Sequence, residues 1–208
     1  MKIPTQRGFT LVETMVALGI FVIVTAIVFV GNGHFNNTIF LTNLAYDLAL
    51  TVSRAQSYGI NVRPFDSATK PFEVGYGVHF KRGPATTDPK ESDNFSFVLF
   101  ADTANPNKNK HYDNPSEFLE RYLIRRGNYI SRLYWLDSDG NEKPDLPNLL
   151  DYADITFLRP NPDANFYCGS FGCTGASAVG IEVSSSDGII KKKIIIGATG
   201  QISVESVQ

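Results

Sequence analysis

Cysteine, histidine and tryptophan are scarce in this chain of 208 residues, and neither sign of charge dominates. Two cysteines are too few for a disulfide-dense scaffold or a four-cysteine zinc site. The three histidines, His34, His79 and His111, are scattered and belong to no metal-binding or nucleophile motif. With 19 Lys and Arg against 21 Asp and Glu, nothing indicates a generally basic nucleic-acid binder. Because G-x-S-x-G and phosphate-loop motifs and a convincing acid–base pair are also missing, the sequence does not predict an enzyme.

Apolar residues are concentrated close to the N-terminus. Residues 9–30 read FTLVETMVALGIFVIVTAIVFV, and a helix of that length spans the roughly 30 Å of a bilayer's hydrocarbon layer. Lys2 and Arg7 precede the segment, which predicts a single-pass protein of the cytoplasmic (inner) membrane with a cytoplasmic N-terminus and an extracytoplasmic remainder. A cleaved secretory signal fits less well, because its apolar region is about 7–15 residues long and ends in a small-x-small site.

Glu13 is the one charged residue inside this apolar segment. A carboxylate within a membrane helix costs about 2.5–3.5 kcal/mol on insertion scales, so it normally has a partner. The alternative is that Glu13 snorkels to the interface, since it lies four residues from the start of the segment.

The run RGFTLVE at residues 7–13, followed by an uninterrupted apolar helix, resembles the class III signal of type IV pilins and type II secretion pseudopilins. The resemblance implies that a prepilin peptidase cleaves between Gly8 and Phe9 and then N-methylates Phe9. It also implies that Glu13 compensates the new Phe9 ammonium of a neighbouring subunit, an attraction that is strong in a low dielectric. The implied partners are other pilins or pseudopilins, the prepilin peptidase, an inner-membrane assembly platform and membrane lipid.

A second helical pattern follows the apolar segment, and GNG at residues 31–33 is a candidate kink between the two. Its apolar residues recur at spacings of four, four, four and three and predict one stripe. The stripe comprises Phe40, Leu44, Leu48, Val52 and Ala55. With Gly59 and Pro64 as stop signals, one helix from Phe9 to about Tyr58 is expected.

From residue 61 onward the sequence is typical of strands and turns. Predicted strands are Val74–Phe80, Phe95–Phe100, Tyr129–Leu136, Asp154–Arg159, Ala178–Ser184, Ile189–Ile196 and Gln201–Val207. They predict an α+β fold in which an antiparallel sheet lies against the helix stripe, which is the type IV pilin arrangement that the resemblance implies. The expected divisions are a leader (1–8), a transmembrane half-helix (9–30), an amphipathic half-helix (31–60) and an extracytoplasmic β-sheet domain (61–208).

Two segments, 44–65 and 180–204, resemble H-type minor pseudopilins of type II secretion and FimT-like minor pilins. The resemblance implies a minor structural subunit of a filament, whether a pilus, a secretion system or a competence apparatus. Residues 101–120 form a predicted polar loop that this resemblance does not explain.

Cys168 and Cys173 lie in a glycine-rich segment expected outside the cytoplasm, where oxidising surroundings favour a local disulfide. So short a loop would contribute about 2–3 kcal/mol. Two free thiols are the alternative, and metal binding is not expected because no histidine lies nearby in sequence.

Oxygen-bearing side chains alternate at Asp137, Asp139 and Asn141, with Asp145 beyond, in the manner that Ca²⁺ prefers. Gly140 occupies the fourth position instead of the sixth, so the EF-hand register is absent. An ordinary turn is the favoured interpretation, calcium the alternative, and no other cofactor is predicted.

Lys191, Lys192 and Lys193 are consecutive on a predicted strand, which places Lys192 on one face and the other two on the opposite face. The favoured interpretation is an edge strand that lysines protect from aggregation. The alternative is contact with DNA phosphates, in which case the chain is a DNA-binding minor pilin of a DNA-uptake pilus.

Overall fold

The structure is a computed structural model that describes residues 8–61, 65, 74–84, 86–103, 109–113, 115–143, 150–169 and 172–207, without the side chains of residues 30–36. The chain divides into two units, Met1–Ile39 and Phe40–Gln208. One helix, α1 (Leu11–Ile60), begins in the first unit and ends in the second, so the glycines at residues 31–33 do not terminate it. The predicted helix, Phe9 to about Tyr58, differs from α1 by two residues at each end.

The first part of α1, Leu11–Phe29, is long and apolar enough to cross a membrane, and none of its residues is buried. Its threonine hydroxyls donate hydrogen bonds to helix carbonyl oxygens, from Thr14 to Leu11 at 2.8 Å and from Thr25 to Phe21 at 2.7 Å. Because these hydroxyls are satisfied within the helix, they add little to the cost of apolar surroundings.

Within the described residues, ten strands form two antiparallel five-stranded sheets. Their bounds are β1 Gly75–Lys81, β2 Ser96–Asp102, β3 Phe118–Leu123, β4 Tyr129–Leu136, β5 Glu142–Lys143, β6 Tyr152–Phe157, β7 Ala164–Cys168, β8 Ala178–Ser184, β9 Lys191–Gly197 and β10 Ile202–Ser206. The first sheet has the order β3-β2-β1-β6-β7 and the second β10-β9-β8-β4-β5. A short 3₁₀ helix, Pro115–Glu117, precedes β3.

The single predicted sheet was wrong, since the strands divide into two sheets. Strands β3, β5 and β7 had no counterpart in the prediction, and all three lie at sheet edges. An edge strand pairs on one side only, and β3 has no fully buried residue. Its sequence therefore lacks the run of apolar residues by which inner strands are recognised.

A buried core in the second unit contains residues of α1 and of both sheets. The helix contributes five residues with no exposed surface: Leu41, Ala45, Leu48, Val52 and Ala55. The predicted stripe was wrong at Phe40, which is only partly buried, whereas Leu44 is partly buried and packs against the core. Residues spaced four apart in a helix are offset by about 40° around its axis, so a series of such spacings drifts away from the core. The buried residues instead alternate between spacings of four and three, which keeps them on one face of the helix.

Gly59, the penultimate residue of α1, lies against β6. A Cβ atom at this position would lie 2.9 Å from the carbonyl carbon of Phe157 and closer still to its oxygen. The last turn of α1 therefore depends on the absence of a side chain here.

Candidate functional site

The predicted processing residues lie at the start of the described chain. Gly8 and Phe9 are exposed and precede α1, and Phe9 is 82% exposed. Glu13 lies in the first turn of α1, where the helix dipole favours a negative charge, and its backbone N–H donates to Thr10 Oγ1 at 3.3 Å. Among the residues described, no cation pairs with the Glu13 carboxylate. The roles of these residues stay predictions.

A polar cluster lies on the first sheet, on the face away from the core. His79 in β1 is directly opposite Asp154 in β6, so the two side chains share a face. His79 Nδ1 is 2.5 Å from Asp154 Oδ1. Both residues are buried, although Ala153 and Ile155, the chain neighbours of Asp154, face the core on the opposite side.

The segment between β2 and the 3₁₀ helix brings a second histidine to the same carboxylate. His111 Nδ1 contacts the other oxygen of Asp154. The preceding residue anchors this segment twice, since Lys110 N donates to Asp102 Oδ2 at 3.1 Å and Lys110 Nζ to Asn165 Oδ1 at 2.7 Å. One buried carboxylate therefore contacts two imidazoles.

Aromatic rings surround the two imidazoles. The centroid of the His111 ring lies 4.5 Å from that of Tyr167 and 5.0 Å from that of Tyr152, with nearly parallel planes. The centroid of the Tyr112 ring lies 5.2 Å from that of His79. These contacts restrict rotation of both imidazoles.

The three side chains provide two nitrogens and a carboxylate oxygen within 4.8 Å of one another. Imidazole and carboxylate are ligands that divalent transition metals accept, and the same groups also hold protons. Burial lowers the pKa of His111, but its hydrogen bond to Asp154 and the charge of that carboxylate outweigh burial and raise the pKa above its ordinary value. A cavity of about 390 Å³ borders both histidines.

Sequence reasoning missed this cluster because its members are far apart in the chain. Asp154 lies 75 residues after His79 and 43 after His111. The segment that carries His111 belongs to residues 101–120, for which the sequence predicted only a polar loop. The one available signal was His79, a polar residue inside the predicted strand Val74–Phe80, because Asp154 stood at the start of its predicted strand.

Glu117 is a second buried acid near the cluster, with 1% of its surface exposed. Its Oε1 accepts a hydrogen bond from Thr103 N at 3.2 Å. Burial, with the nearby charges of Asp113 and Asp102, raises the pKa of Glu117 from 4.5 to about 7.

This shift predicts that the folded chain loses stability as the pH rises from about 4.5 to about 7. The folded state retains a proton on Glu117 that the unfolded chain releases, so the free energy of unfolding falls, by at most roughly 3 kcal/mol. Glu117→Gln should remove this dependence. Denaturant unfolding of the detergent-solubilised chain at a series of pH values measures it, with Glu205→Gln on the exposed end of β10 as the control. An unchanged pH slope in Glu117→Gln would contradict the prediction.

Cys168, the last residue of β7, is disulfide-bonded to Cys173, and their Cα atoms are 5.5 Å apart. Neither cysteine of the chain is a free thiol in this structure.

Asp137, Asp139 and Asn141 form the turn between β4 and β5. Asp137 Oδ1 accepts hydrogen bonds from the backbone N–H groups of Asn141 at 2.8 Å and Asp139 at 3.0 Å. The bond from Asn141 is the main cause of a lowered pKa of Asp137. Asp145, the last member of the predicted calcium set, lies outside the described residues. The geometry is that of an ordinary turn, and calcium binding stays a prediction.

The three lysines open β9, which lies between β8 and β10. The edge-strand interpretation was wrong, because β10 pairs with β9 along its free side. Lys191 Nζ lies 3.0 Å from Glu182 and Lys193 Nζ 2.8 Å from Glu142, while Lys192 Nζ donates to Ser206 Oγ. Two of the three ammonium groups are thus paired with carboxylates, and DNA contact stays a prediction.

Residues 3–29 match the family model described as the prokaryotic N-terminal methylation motif. No curated protein and no solved structure matches the chain, so its likeness to H-type minor pseudopilins gains no further support. The motif, together with the apolar helix, indicates a membrane-anchored structural subunit. The chain has a prepilin-type N-terminus, which indicates a pilin-like subunit that prepilin peptidase processes.

Proposed function

We propose that this chain is a structural subunit, a minor pilin or pseudopilin, of a type IV pilus or a type II secretion-type filament. One observation carries the proposal: Gly8 and Phe9 lie just before α1, whose first part, Leu11–Phe29, is apolar, has no buried residue and carries one charged residue, Glu13, in its first turn. An apolar helix with no buried residue needs lipid or other helices around it.

Processing and assembly follow in order. The helix first holds the chain in the cytoplasmic membrane, with residues 1–8 on the cytoplasmic side. Prepilin peptidase removes those residues and methylates Phe9. An assembly platform in the membrane then moves the subunit into a filament, where other pilins replace lipid around the segment at 9–30.

Glu13 sets the register of that filament. Cleavage leaves an ammonium group on Phe9, and a buried ammonium without a partner is strongly destabilising. The Glu13 carboxylate has no cationic partner among the described residues of its own chain. A pair between Glu13 of one subunit and Phe9 of the next satisfies both charges and fixes the stagger between helices.

The outer part of the subunit has the type IV pilin fold, in which the amphipathic half-helix (31–60) packs on the β-sheet domain (61–208). Two observations support this assignment. Leu48 and Val52 of α1 belong to the same buried core as residues of both sheets. Gly59 also approaches the backbone of Phe157 in β6.

Mass spectrometry of the mature N-terminus tests the proposal. In cells that contain prepilin peptidase, the chain should begin with N-methylated Phe9. In cells that lack the peptidase, it should begin with Met1 or with the residue that follows initiator removal. An intact N-terminus in both strains would contradict the proposal and would indicate an unprocessed signal-anchored protein.

A further inference from the structure

We propose that His79, His111 and Asp154 form a binding site for one divalent transition-metal ion, with Zn²⁺ the best match to the three ligands. The site lies in the second unit, apart from the N-terminal motif. It does not depend on the filament function proposed above.

The ligand atoms already converge. Nδ1 of His79 and Nδ1 of His111 contact different oxygens of Asp154, and the three ligand atoms lie within 4.8 Å of one another. In tetrahedral zinc sites the metal–nitrogen distance is about 2.0–2.1 Å, which separates neighbouring ligands by roughly 3.3 Å. Each imidazole nitrogen therefore has to withdraw from the carboxylate by less than about 1 Å, and the two nitrogens, which lie within 4.8 Å of each other, have to approach by at most about 1.5 Å. Binding also requires the tautomer in which each proton lies on Nε2.

The backbone and neighbouring rings hold these ligands before any metal arrives. His79 and Asp154 lie on adjacent strands of one sheet, directly opposite each other. Tyr152 and Tyr167 stack on the His111 ring. Ligands fixed in this way lose little conformational entropy on binding, which favours affinity.

Solvent reaches the two histidine side chains through the cavity beside them. The cavity of about 390 Å³ borders His79 and His111, so a metal ion can enter and a water molecule can complete a tetrahedron. The charged residues that line this cavity are three acids and two lysines: Asp88, Glu91, Asp113, Lys81 and Lys90. Together with Asp154 they give the site a surplus of negative charge, which attracts a cation.

A hydrogen-bonded group without metal is the competing interpretation. Such a group satisfies the Asp154 carboxylate equally well. It does not explain why a second imidazole reaches this buried carboxylate from a separate loop, beside an acidic cavity. Imidazole nitrogen with carboxylate oxygen favours Zn²⁺ over Ca²⁺, which prefers oxygen ligands alone.

The test measures binding of Zn²⁺ to the full chain in detergent micelles, expressed without a polyhistidine tag and purified without thiol reductants. The disulfide between Cys168 and Cys173 then keeps both sulfurs from binding zinc. Isothermal titration after treatment with a chelator gives stoichiometry and affinity. We expect one Zn²⁺ per chain with a dissociation constant at or below about 1 μM. Co²⁺ in place of Zn²⁺ should show the intense visible absorption of four-coordinate cobalt.

Two histidine variants make the assignment specific. His111→Gln removes a ligand from a partly exposed loop and should weaken Zn²⁺ binding by at least about 100-fold, more than the loss of an outer-shell partner. His34→Gln removes the remaining histidine of the chain, in the other unit, and should bind Zn²⁺ as the wild type does. Circular dichroism verifies that each variant is folded, and His79→Gln replaces His111→Gln if the latter does not fold.

Three results would overturn the proposal: a wild-type chain that binds no Zn²⁺ below about 100 μM, a cobalt spectrum of octahedral type, or equal loss of binding in His34→Gln and the ligand variant. The first of these would leave a metal-free hydrogen-bonded cluster. None of the three bears on the processing of the N-terminus.

Discussion

Glu13→Ala should leave the subunit inserted and processed but lower its incorporation into filaments by at least about tenfold. In the filament proposed above, removal of the carboxylate leaves the ammonium of a neighbouring Phe9 without a partner, at a cost of about 2.5–3.5 kcal/mol on insertion scales. The change also makes the segment at 9–30 more apolar, so membrane insertion itself should not suffer. Quantifying the subunit in sheared or crosslinked filaments, relative to its amount in the membrane, measures the effect.

Thr14→Ala is the matched control, because it removes a polar side chain from the neighbouring position of α1 without removing a charge. The Thr14 hydroxyl donates only to helix carbonyl oxygens, so its loss should leave incorporation unchanged. Normal incorporation of Glu13→Ala would contradict the assigned role of Glu13. Equal losses in both variants would show that incorporation responds to polarity in general.

Gly59→Ala should destabilise the second unit by about 1–3 kcal/mol, as expected when a side chain is inserted into a packed region. The sign is informative, because the same change within a helix normally stabilises it by about 1 kcal/mol. The added Cβ would meet the backbone carbonyl of Phe157, and a backbone group in β6 cannot rotate away as a side chain can. For a chain of this size, 1 kcal/mol lowers the melting temperature by about 2–4 °C.

Gly83→Ala is the control for this prediction, because a Cβ atom at Gly83 has no atom within 4 Å. Thermal unfolding of both variants in the same detergent, followed by near-ultraviolet circular dichroism, separates the steric effect from any general effect of replacing glycine. A Gly59→Ala variant at least as stable as wild type would show that the last turn of α1 does not lie against β6 in solution.

The sequence predicted the elements that carry a strong local pattern. Tyr129–Leu136 and Ala178–Ser184 were predicted with the observed bounds, and both are inner strands of the second sheet with dense apolar and β-branched residues. The edge strand β3 escaped prediction because none of its residues is buried, so its sequence has no run of apolar residues. The lysines at Lys191–Lys193 led to a wrong prediction of an edge strand, because a run of charged residues does not show whether another strand pairs beside it.

The features that the sequence predicted and those that required the tertiary structure differ for a physical reason. Lipid is a uniform apolar solvent, so the length and apolarity of a segment are enough to predict a membrane helix from the sequence alone. The single carboxylate within that segment, Glu13, indicated the N-terminal motif in the same way. The match at residues 3–29 agrees with this prediction. The cluster around Asp154 required the tertiary structure, because its partners come from β1 and from a loop after β2, and only strand pairing places them at one carboxylate. Local sequence patterns do not encode such long-range proximity, so the sequence could not predict that His79 and His111 contact the same carboxylate.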